Sequence, residues 1–191
     1  MARPTGRPLR DELLDAARPR IQRAGVGGFS YGDLAKELDI RSPSIHHHFP
    51  TKADLVAEVT ATYRSDFAER VNGIDEPTAL ARLHAYAQLF NQTAAAGLLC
   101  LCGAIAAEWP DIADRARHEV VAFFDEQHIW LTDQIADGVA TGEFRDDIAS
   151  DDIARVVLAA LEGAVLMARP TAAPDLAATV GSAVIALLSR P

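Results

Sequence analysis

Apolar residues recur at helical spacing along almost the whole chain. Positions three and four apart lie on the same face of a helix, and the first such stripe consists of Leu9, Leu13, Leu14, Ala17 and Ile21. Glycines at positions 25, 27 and 28 predict the end of that helix. No stretch combines β-branched residues with two-residue alternation and hairpin turns. The pattern therefore predicts an all-α fold.

Two short helices are expected after this first one. Ser30 begins a segment that keeps helical spacing as far as Leu38, because a serine oxygen can accept an unpaired N–H at a helix start. After a tight turn, Ser42 is expected to cap a second helix from Pro43 to about Phe49. A longer apolar helix then covers residues 51–71. Two short helices packed on a longer first helix are the helix-turn-helix arrangement.

The remainder of the chain also has helical periodicity, with prolines and glycines near the expected joints. The predicted segments are 77–96, 100–109, 111–141, 150–168 and 174–189. We therefore expect an N-terminal three-helix domain over residues 1–52 and a larger helical domain over residues 53–191.

Charge is distributed unevenly between these two parts. The formal net charge is -9, but residues 1–52 hold nine Lys and Arg against six Asp and Glu, a net charge of +3. Residues 53–191 have a net charge of -12. A basic N-terminal part can attract phosphate groups, whereas the acidic remainder repels them. Fluctuation of charge along the chain is the alternative explanation.

No apolar run is long enough to cross a membrane, and the N-terminus lacks the apolar core of a secretory signal. We therefore expect a cytoplasmic protein. Its two cysteines, Cys100 and Cys102, are one residue apart, a spacing that does not suit a disulfide framework and favours reduced thiols.

Residues 29–55 resemble the DNA-binding signature of the TetR family, and read FSYGDLAKELDIRSPSIHHHFPTKADL. The resemblance depends on apolar positions in both short helices and on the segment from His48 to Lys52, and it extends over residues 9–60. Two positions depart from the family pattern. Asp39 replaces the usual turn glycine, and aspartate tolerates positive φ better than most residues. His46 replaces a tyrosine that commonly contacts phosphate.

The resemblance implies a dimeric transcriptional regulator, most often a repressor, that binds a palindromic DNA operator and is released by a small-molecule effector. It implies an N-terminal helix-turn-helix domain followed by a helical ligand-binding and dimerisation domain, with no cofactor and no catalytic residues. An activator, or a sensor without its own operator, is the alternative within the same fold. The effector and the operator sequence are not determined by one chain.

In such a unit the second short helix lies in the major groove, so exposed residues at its start should meet base edges. Our candidates for base contact are Arg41, Ser42, Ser44 and His47, with capping as the alternative role of Ser42. Candidates for phosphate contact are His46, Lys52, Ser30, Tyr31 and Thr51.

Two other features of this region have competing explanations. The arginines at the start of the chain, Arg3, Arg7 and Arg10, either reach the minor groove or a phosphate, or belong to a solvated tail. The consecutive histidines His46, His47 and His48 suggest a metal site. Successive side chains on a helix diverge by about 100°, however, so these three cannot converge on one ion and we expect no metal.

A mixture of aromatic, polar and apolar side chains in the larger domain is typical of a ligand pocket between bundle helices. The candidate lining residues are Tyr86, Phe90, Cys102, Trp109, Phe124, Gln127 and Leu131. Ordinary core packing is the alternative for each of them.

The segment 100–108 is similar to one found in a subset of TetR-type regulators, some of which respond to electrophiles. A thiol near a helix N-terminus can be reactive, which makes Cys100 a candidate thiol sensor. A buried structural cysteine is the alternative. An enzyme using Cys100 or Cys102 with a histidine and Glu108 is the rival from another class, but no nucleophile signature surrounds either thiol. We therefore do not expect an enzyme.

The last two predicted helices have broad apolar faces and many small residues. These faces contain Ile153, Val156, Val157, Leu161, Val165, Val180, Val184, Ile185 and Leu188. A two-fold interface in which each subunit contributes both helices would form a four-helix bundle. The alternative is that the faces only cover their own core.

Overall fold

The computed structural model describes residues 8–189. Within that range its regular secondary structure is helical, with an isolated bridge between Phe144 and Ser189 but no strand. The helices are α1 (Leu9–Ala24), α2 (Tyr31–Glu37), α3 (Ser42–His48), α4 (Lys52–Asn72), α5 (Ala79–Ala95), α6 (Leu101–Ala106), α7 (Asp114–Ala140), α8 (Ser150–Ala168) and α9 (Leu176–Ala186). Short 3₁₀ turns cover Val26–Gly28 and Trp109–Asp111. The predicted all-α fold is confirmed. No helix in this range is long and apolar enough to span a bilayer.

The described chain divides into two compact units. The first contains residues 8–64 and 101–120, and the second contains residues 65–100 and 121–189. The long helices α4 and α7 each contribute residues to both units. The predicted division into domains at residue 52 stays a prediction.

In the first unit, α1 supplies a fully buried stripe that includes Leu13, Ala17 and Ile21. Helix α2 begins with a capping box, in which the Ser30 hydroxyl accepts from the Asp33 backbone N–H at 3.3 Å and the Asp33 carboxylate accepts from the Ser30 backbone N–H at 2.7 Å. This reciprocal pair satisfies two N–H groups that a helix start leaves unpaired.

The turn between α2 and α3 contains a residue in the left-handed region. Asp39 has φ of 50°, and the Ile40 N–H donates to the Ala35 carbonyl at 2.9 Å. Aspartate adopts this conformation at lower cost than most residues other than glycine and asparagine. The turn therefore forms without the glycine that the family pattern has there.

Helix α3 begins one residue earlier than expected, which corrects the predicted role of Ser42. Ser42 is the first helical residue, and the capping position belongs to Arg41, whose side chain makes no capping bond. The Arg41 carbonyl accepts the Ser44 N–H at 2.9 Å. Pro43 remains within the first turn, where its missing donor is harmless.

The second unit is built on α5, α8 and α9, which pack against one another. Close approach of α9 requires Gly181, since a Cβ there would lie 3.0 Å from the Ala87 Cβ and 3.2 Å from Leu161 Cδ2. Aromatic side chains fill the interior. The Phe67 ring meets those of Tyr86, Phe90 and Phe123 edge-on, at centroid distances of 6.4, 5.8 and 5.2 Å.

Candidate functional site

Helix α3 has one buried face and one exposed face. Ile45 is fully buried and Phe49, directly after the helix, is 3% exposed, so these two apolar side chains anchor the helix. Arg41 and His47 are exposed and Ser44 is half-buried. Their spacing of three residues places these polar groups along one side of the helix. The structure thus presents the predicted base-contacting residues together, with Ser42 half-buried beside them.

Tyr31 connects α2 to the turn between α3 and α4. Its hydroxyl lies 2.9 Å from the Phe49 carbonyl and 2.6 Å from the Thr51 carbonyl, to which it donates. Burial, with a smaller contribution from Asp54, raises the pKa of Tyr31 to about 12. The phosphate contact that the sequence suggests for Tyr31 stays a prediction. The positioning role of its hydroxyl was not found from the sequence.

His46 is exposed, but one of its ring nitrogens is already bonded. Nδ1 lies 3.1 Å from the Pro50 carbonyl oxygen, and its ring meets that of Tyr31 edge-on at 4.8 Å. Because a carbonyl can only accept, Nδ1 carries the hydrogen. In the neutral ring Nε2 is then an acceptor, and only the protonated ring can donate from Nε2 to a phosphate oxygen.

Lys52 also has a partner within the first unit. Its ammonium donates to the Phe29 carbonyl and lies 4.3 Å from the centroid of the Phe29 ring. Burial lowers the pKa of Lys52, while the carboxylates of Glu108 and Asp33 act in the opposite direction. This lysine therefore connects the start of α4 to Phe29, two residues before α2. The proposed phosphate contact would be a second role for the same ammonium.

Two of the other proposed phosphate contacts are helix caps. The Thr51 hydroxyl donates to the Asp54 carboxylate at 2.7 Å and accepts from the Asp54 N–H at 3.1 Å. The Ser30 hydroxyl donates to the Asp33 carboxylate at 2.7 Å. These bonds lower the pKa of Asp33 and of Asp54. Both hydroxyls lie at helix N-termini, where backbone N–H groups also suit an anion.

Of the three arginines at the start of the chain, Arg3 and Arg7 lie outside the described residues. Arg10 forms an ion pair with Glu58 at 2.7 Å and lies 5.4 Å from the centroid of the Phe49 ring. Glu58 also accepts from Arg115 at 3.1 Å. In this structure Arg10 therefore belongs to the packed surface of the first unit and not to a solvated tail.

Glu108 is a positioning residue that sequence reasoning missed. Its Oε1 accepts from the Val26 N–H at 2.6 Å and its Oε2 accepts from the Gly27 N–H at 3.2 Å. A Cβ at position 25 would lie 1.9 Å from Oε1, and Gly25 has φ of 72°, so only glycine fits there. The glycine run signalled an unusual turn, but no local pattern identified its partner.

The predicted ligand-pocket residues fall into two groups. Tyr86, Phe90, Gln127 and Leu131 are buried in the second unit, with Phe124 half-buried there. Cys102 is buried in the first unit. Trp109, also of the first unit, is 39% exposed, with the Arg117 guanidinium 5.6 Å from its ring centroid.

A glutamate of the second unit that is half-buried as a residue but has a buried carboxyl oxygen was also missed. The Cys100 thiol is hydrogen-bonded to the Glu162 carboxyl, and burial raises the pKa of Glu162 to about 7 against the opposing effect of that bond. Burial, followed by the nearby Glu162, raises the pKa of Tyr86 well above its usual value. A glutamate between Leu161 and Ala164 on an apolar helix face was the available signal.

Both cysteines are buried and form no disulfide, and the sensor role of Cys100 stays a prediction. Among residues 8–189 no group of three or more His, Cys, Asp and Glu side chains has an arrangement that could hold a metal ion.

Comparison with known proteins decides the family. Residues 79–184 match the model described as "Tetracyclin repressor-like, C-terminal domain", and residues 13–59 match that of "Bacterial regulatory proteins, tetR family". The chain belongs to the TetR family. It is thus a transcriptional regulator and not an enzyme. The N-terminal match covers most of α1 and all of α2 and α3, the helices that place Arg41 and His47.

Two curated TetR-type relatives are repressors. The transcriptional repressor DhaR of Mycobacterium sp. (strain GP1) is 25% identical over 162 residues, covering 83% of this chain and 81% of DhaR. The repressor KstR2 of Mycolicibacterium smegmatis is 28% identical over 168 residues, covering 78% and 73%. A TetR-family regulator of Agrobacterium tumefaciens has a solved structure that matches with a TM-score of 0.90 and 29% identity, covering 95% of this chain and 97% of that one.

Proposed function

We propose that this TetR-family protein is a cytoplasmic repressor that binds a palindromic operator as a homodimer and leaves it when a small effector occupies the second unit. The observation that carries the DNA-binding part is the exposure of Arg41 and His47 on a helix whose opposite face is locked by Ile45 and Phe49. A reading helix needs this combination, because base contacts require a rigid element with free side chains at its start.

Arg41 is the side chain best suited to base recognition. Its guanidinium is exposed directly before α3, and arginine can donate two parallel hydrogen bonds to guanine in the major groove. Ser42, Ser44 and His47 add donors along the same helix. Lys52, His46, Ser30, Tyr31 and Thr51 surround it as phosphate contacts, which fix the protein on the duplex without reading sequence.

Dimerisation is supported by an exposed apolar stripe on α8. Val156, Leu166 and Met167 are 60%, 62% and 55% exposed, and a Cβ at Gly163 would meet no atom within 4 Å among the described residues. Leu187, next to α9, is 70% exposed. A two-fold pairing of α8 and α9 would bury these side chains. The two reading helices would then meet half-sites spaced by whole turns of DNA.

Repression is supported by the relatives DhaR and KstR2, both named as repressors. Release by an effector is supported by the buried polar atoms of Tyr86, Gln127 and Glu162, which have no hydrogen-bond partner among the described residues. Helix α6 begins directly after Cys100 and is followed by Glu108. A ligand beside Cys100 that favours another position of α6 would therefore act on the Glu108 bonds to the turn before α2.

The test is operator binding by the whole protein. An operator selected from random duplexes is titrated at several salt concentrations with wild type and with a variant carrying Arg41→Ala, His47→Ala and Lys52→Ala. We expect the variant to bind more than about 100-fold more weakly, since removing each side chain that touches a base or a phosphate costs about 1–3 kcal/mol.

A control variant removes three basic side chains from the second unit, with Arg155→Ala, His84→Ala and Arg169→Ala, and is expected to bind the operator as wild type does. Because Lys52 also holds Phe29, the double variant Arg41→Ala with His47→Ala separates recognition from folding. Full operator affinity in this folded double variant would refute the assignment of α3 as the reading helix.

A further inference from the structure

We propose that the effector site of the second unit accepts a small organic cation, a protonated amine whose ammonium pairs with Glu162 and lies among the aromatic rings around Tyr86. This inference rests on the proposed effector site and names the chemistry of its ligand.

The first observation is a carboxyl group without a counter-charge. Glu162 Oε1 is buried and has no hydrogen-bond partner among the described residues. Among the described residues, the Cys100 thiol bonds this carboxyl and Tyr86 lies near it, and neither side chain carries a positive charge. A buried carboxylate without a cation is costly, so in the free protein the group is partly held in its protonated form. A bound cation would remove that cost.

The second observation is that two other buried oxygen atoms of the second unit also lack a hydrogen-bond donor within residues 8–189. Gln127 Oε1 and the Tyr86 hydroxyl oxygen are buried without partners among the described residues. A carboxylate and an amide oxygen accept hydrogen bonds, and a hydroxyl oxygen can accept as well. An ammonium group offers three donors and no acceptor. Its hydrogen-bonding capacity therefore suits Glu162 and the nearby Tyr86, with Gln127 Oε1 as a further acceptor of the second unit that is unpartnered in the described part of the chain.

The third observation is the aromatic surround. The Tyr86 ring stacks on Trp130 at 5.1 Å with an interplanar angle of 18°, and Phe67 and Phe90 lie against the same tyrosine. On α7, Gln127 lies one turn before Trp130, which places both on the side of the helix that meets Tyr86. Electron-rich ring faces attract cations.

Charge in the second unit argues against an anionic ligand. Residues 65–100 and 121–189 contain 15 Asp and Glu against five Arg and no Lys. Among these arginines, Arg82 is bonded to Gln134 and Asp137, and Arg70 is bonded to Gln92. An anion would be repelled both by the net negative charge of this unit and by the Glu162 carboxylate, whereas a cation is attracted by both.

The experiment compares three probes that share a phenylethyl skeleton: phenethylamine, phenethyl alcohol and hydrocinnamate. Each is titrated calorimetrically into the full-length protein at about pH 8, where carboxylates are ionised and amines protonated. We expect the amine to bind at least about tenfold more tightly than the alcohol, and the carboxylate to bind weakest. Tenfold corresponds to about 1.4 kcal/mol.

The isosteric variant Glu162→Gln should lower the affinity for the amine to that for the alcohol. The control Glu69→Gln removes the same charge from an exposed position on α4 and should keep the preference. Tyr86→Phe keeps the ring and removes the hydroxyl, so it should weaken amine binding only in part. If Glu162→Gln fails to fold, Tyr86→Phe still tests the site.

Equal or tighter binding of the alcohol or the carboxylate by wild type overturns the inference. So does an amine preference that survives Glu162→Gln, or the absence of binding by all three probes. The same samples are tested for operator binding. A sample that binds operator but shows no amine preference refutes the cation site alone, whereas failure to bind any operator refutes the proposed function.

Discussion

The carboxylate of Glu108 accepts the backbone N–H of Val26 at 2.6 Å, although the two residues are 82 positions apart in the chain. Together with the Gly27 N–H at 3.2 Å, this contact fixes the connection between α1 and α2 to the segment that follows α6. The orientation of α2, on which α3 packs, therefore depends on a residue outside the helix-turn-helix sequence.

We expect Glu108→Ala to lower operator affinity and to destabilise the first unit. The substitution removes the acceptor of one part-buried and one exposed backbone N–H group, and a hydrogen bond of this kind contributes about 0.5–1.5 kcal/mol. Operator titration and thermal unfolding measure the two effects. Asp111→Ala, an exposed carboxylate in the neighbouring 3₁₀ turn, is the control. Wild-type affinity and melting temperature in Glu108→Ala would contradict a positioning role.

Operator affinity should rise in His46→Tyr. Nδ1–H of His46 is donated to the Pro50 carbonyl, so the neutral ring presents only the acceptor Nε2 to a phosphate oxygen, whereas a tyrosine hydroxyl is a donor. Fluorescence anisotropy with the selected operator measures the change. His84→Tyr, at an exposed position of the second unit, is the control and should leave the affinity unchanged. Weaker operator binding by His46→Tyr would contradict the phosphate contact.

Stability should depend on pH through Glu162. Its pKa is raised from 4.5 to about 7 by burial, so the folded state holds an additional proton between these values and loses stability as the pH rises through this window. Glu162→Gln cannot ionise. The free energy of unfolding of Glu162→Gln minus that of wild type should therefore increase by about 3 kcal/mol from about pH 4 to about pH 8. Urea unfolding measures this difference, and parallel pH profiles of the two proteins would show that Glu162 is not buried as described.

The α8 stripe should determine the oligomeric state. Val156→Glu with Leu166→Glu places two charges on side chains that are 60% and 62% exposed in one chain and would be buried in a dimer. We expect monomers in size-exclusion chromatography with light scattering, and weaker operator binding. Val121→Glu, at an apolar position on α7 that is 48% exposed, should remain dimeric. A dimeric double variant would exclude this face as the interface.

The sequence alone determined the elements whose signals are local. Apolar residues at helical spacing located the helices, and Ser30 and Thr51 were recognised at helix starts because a capping residue acts on N–H groups two or three positions away. The segment 29–55 was sufficient to indicate the family. Asp39 adopts positive φ, and its tolerance of this conformation is a property of its own side chain. The prediction of Ser42 as the capping residue of α3 was wrong by one position, because the capping position belongs to Arg41.

Tertiary structure decided the contacts whose partners lie far apart in the chain. Lys52 meets the Phe29 carbonyl, Glu108 meets the turn at Val26, and Glu162 is buried beside the Cys100 thiol. Hydrophobic periodicity specifies which face of a helix is buried but not which neighbour it meets. Side-chain hydrogen bonds and desolvation depend on that neighbour, because both act over a few ångströms in space irrespective of the number of residues between them.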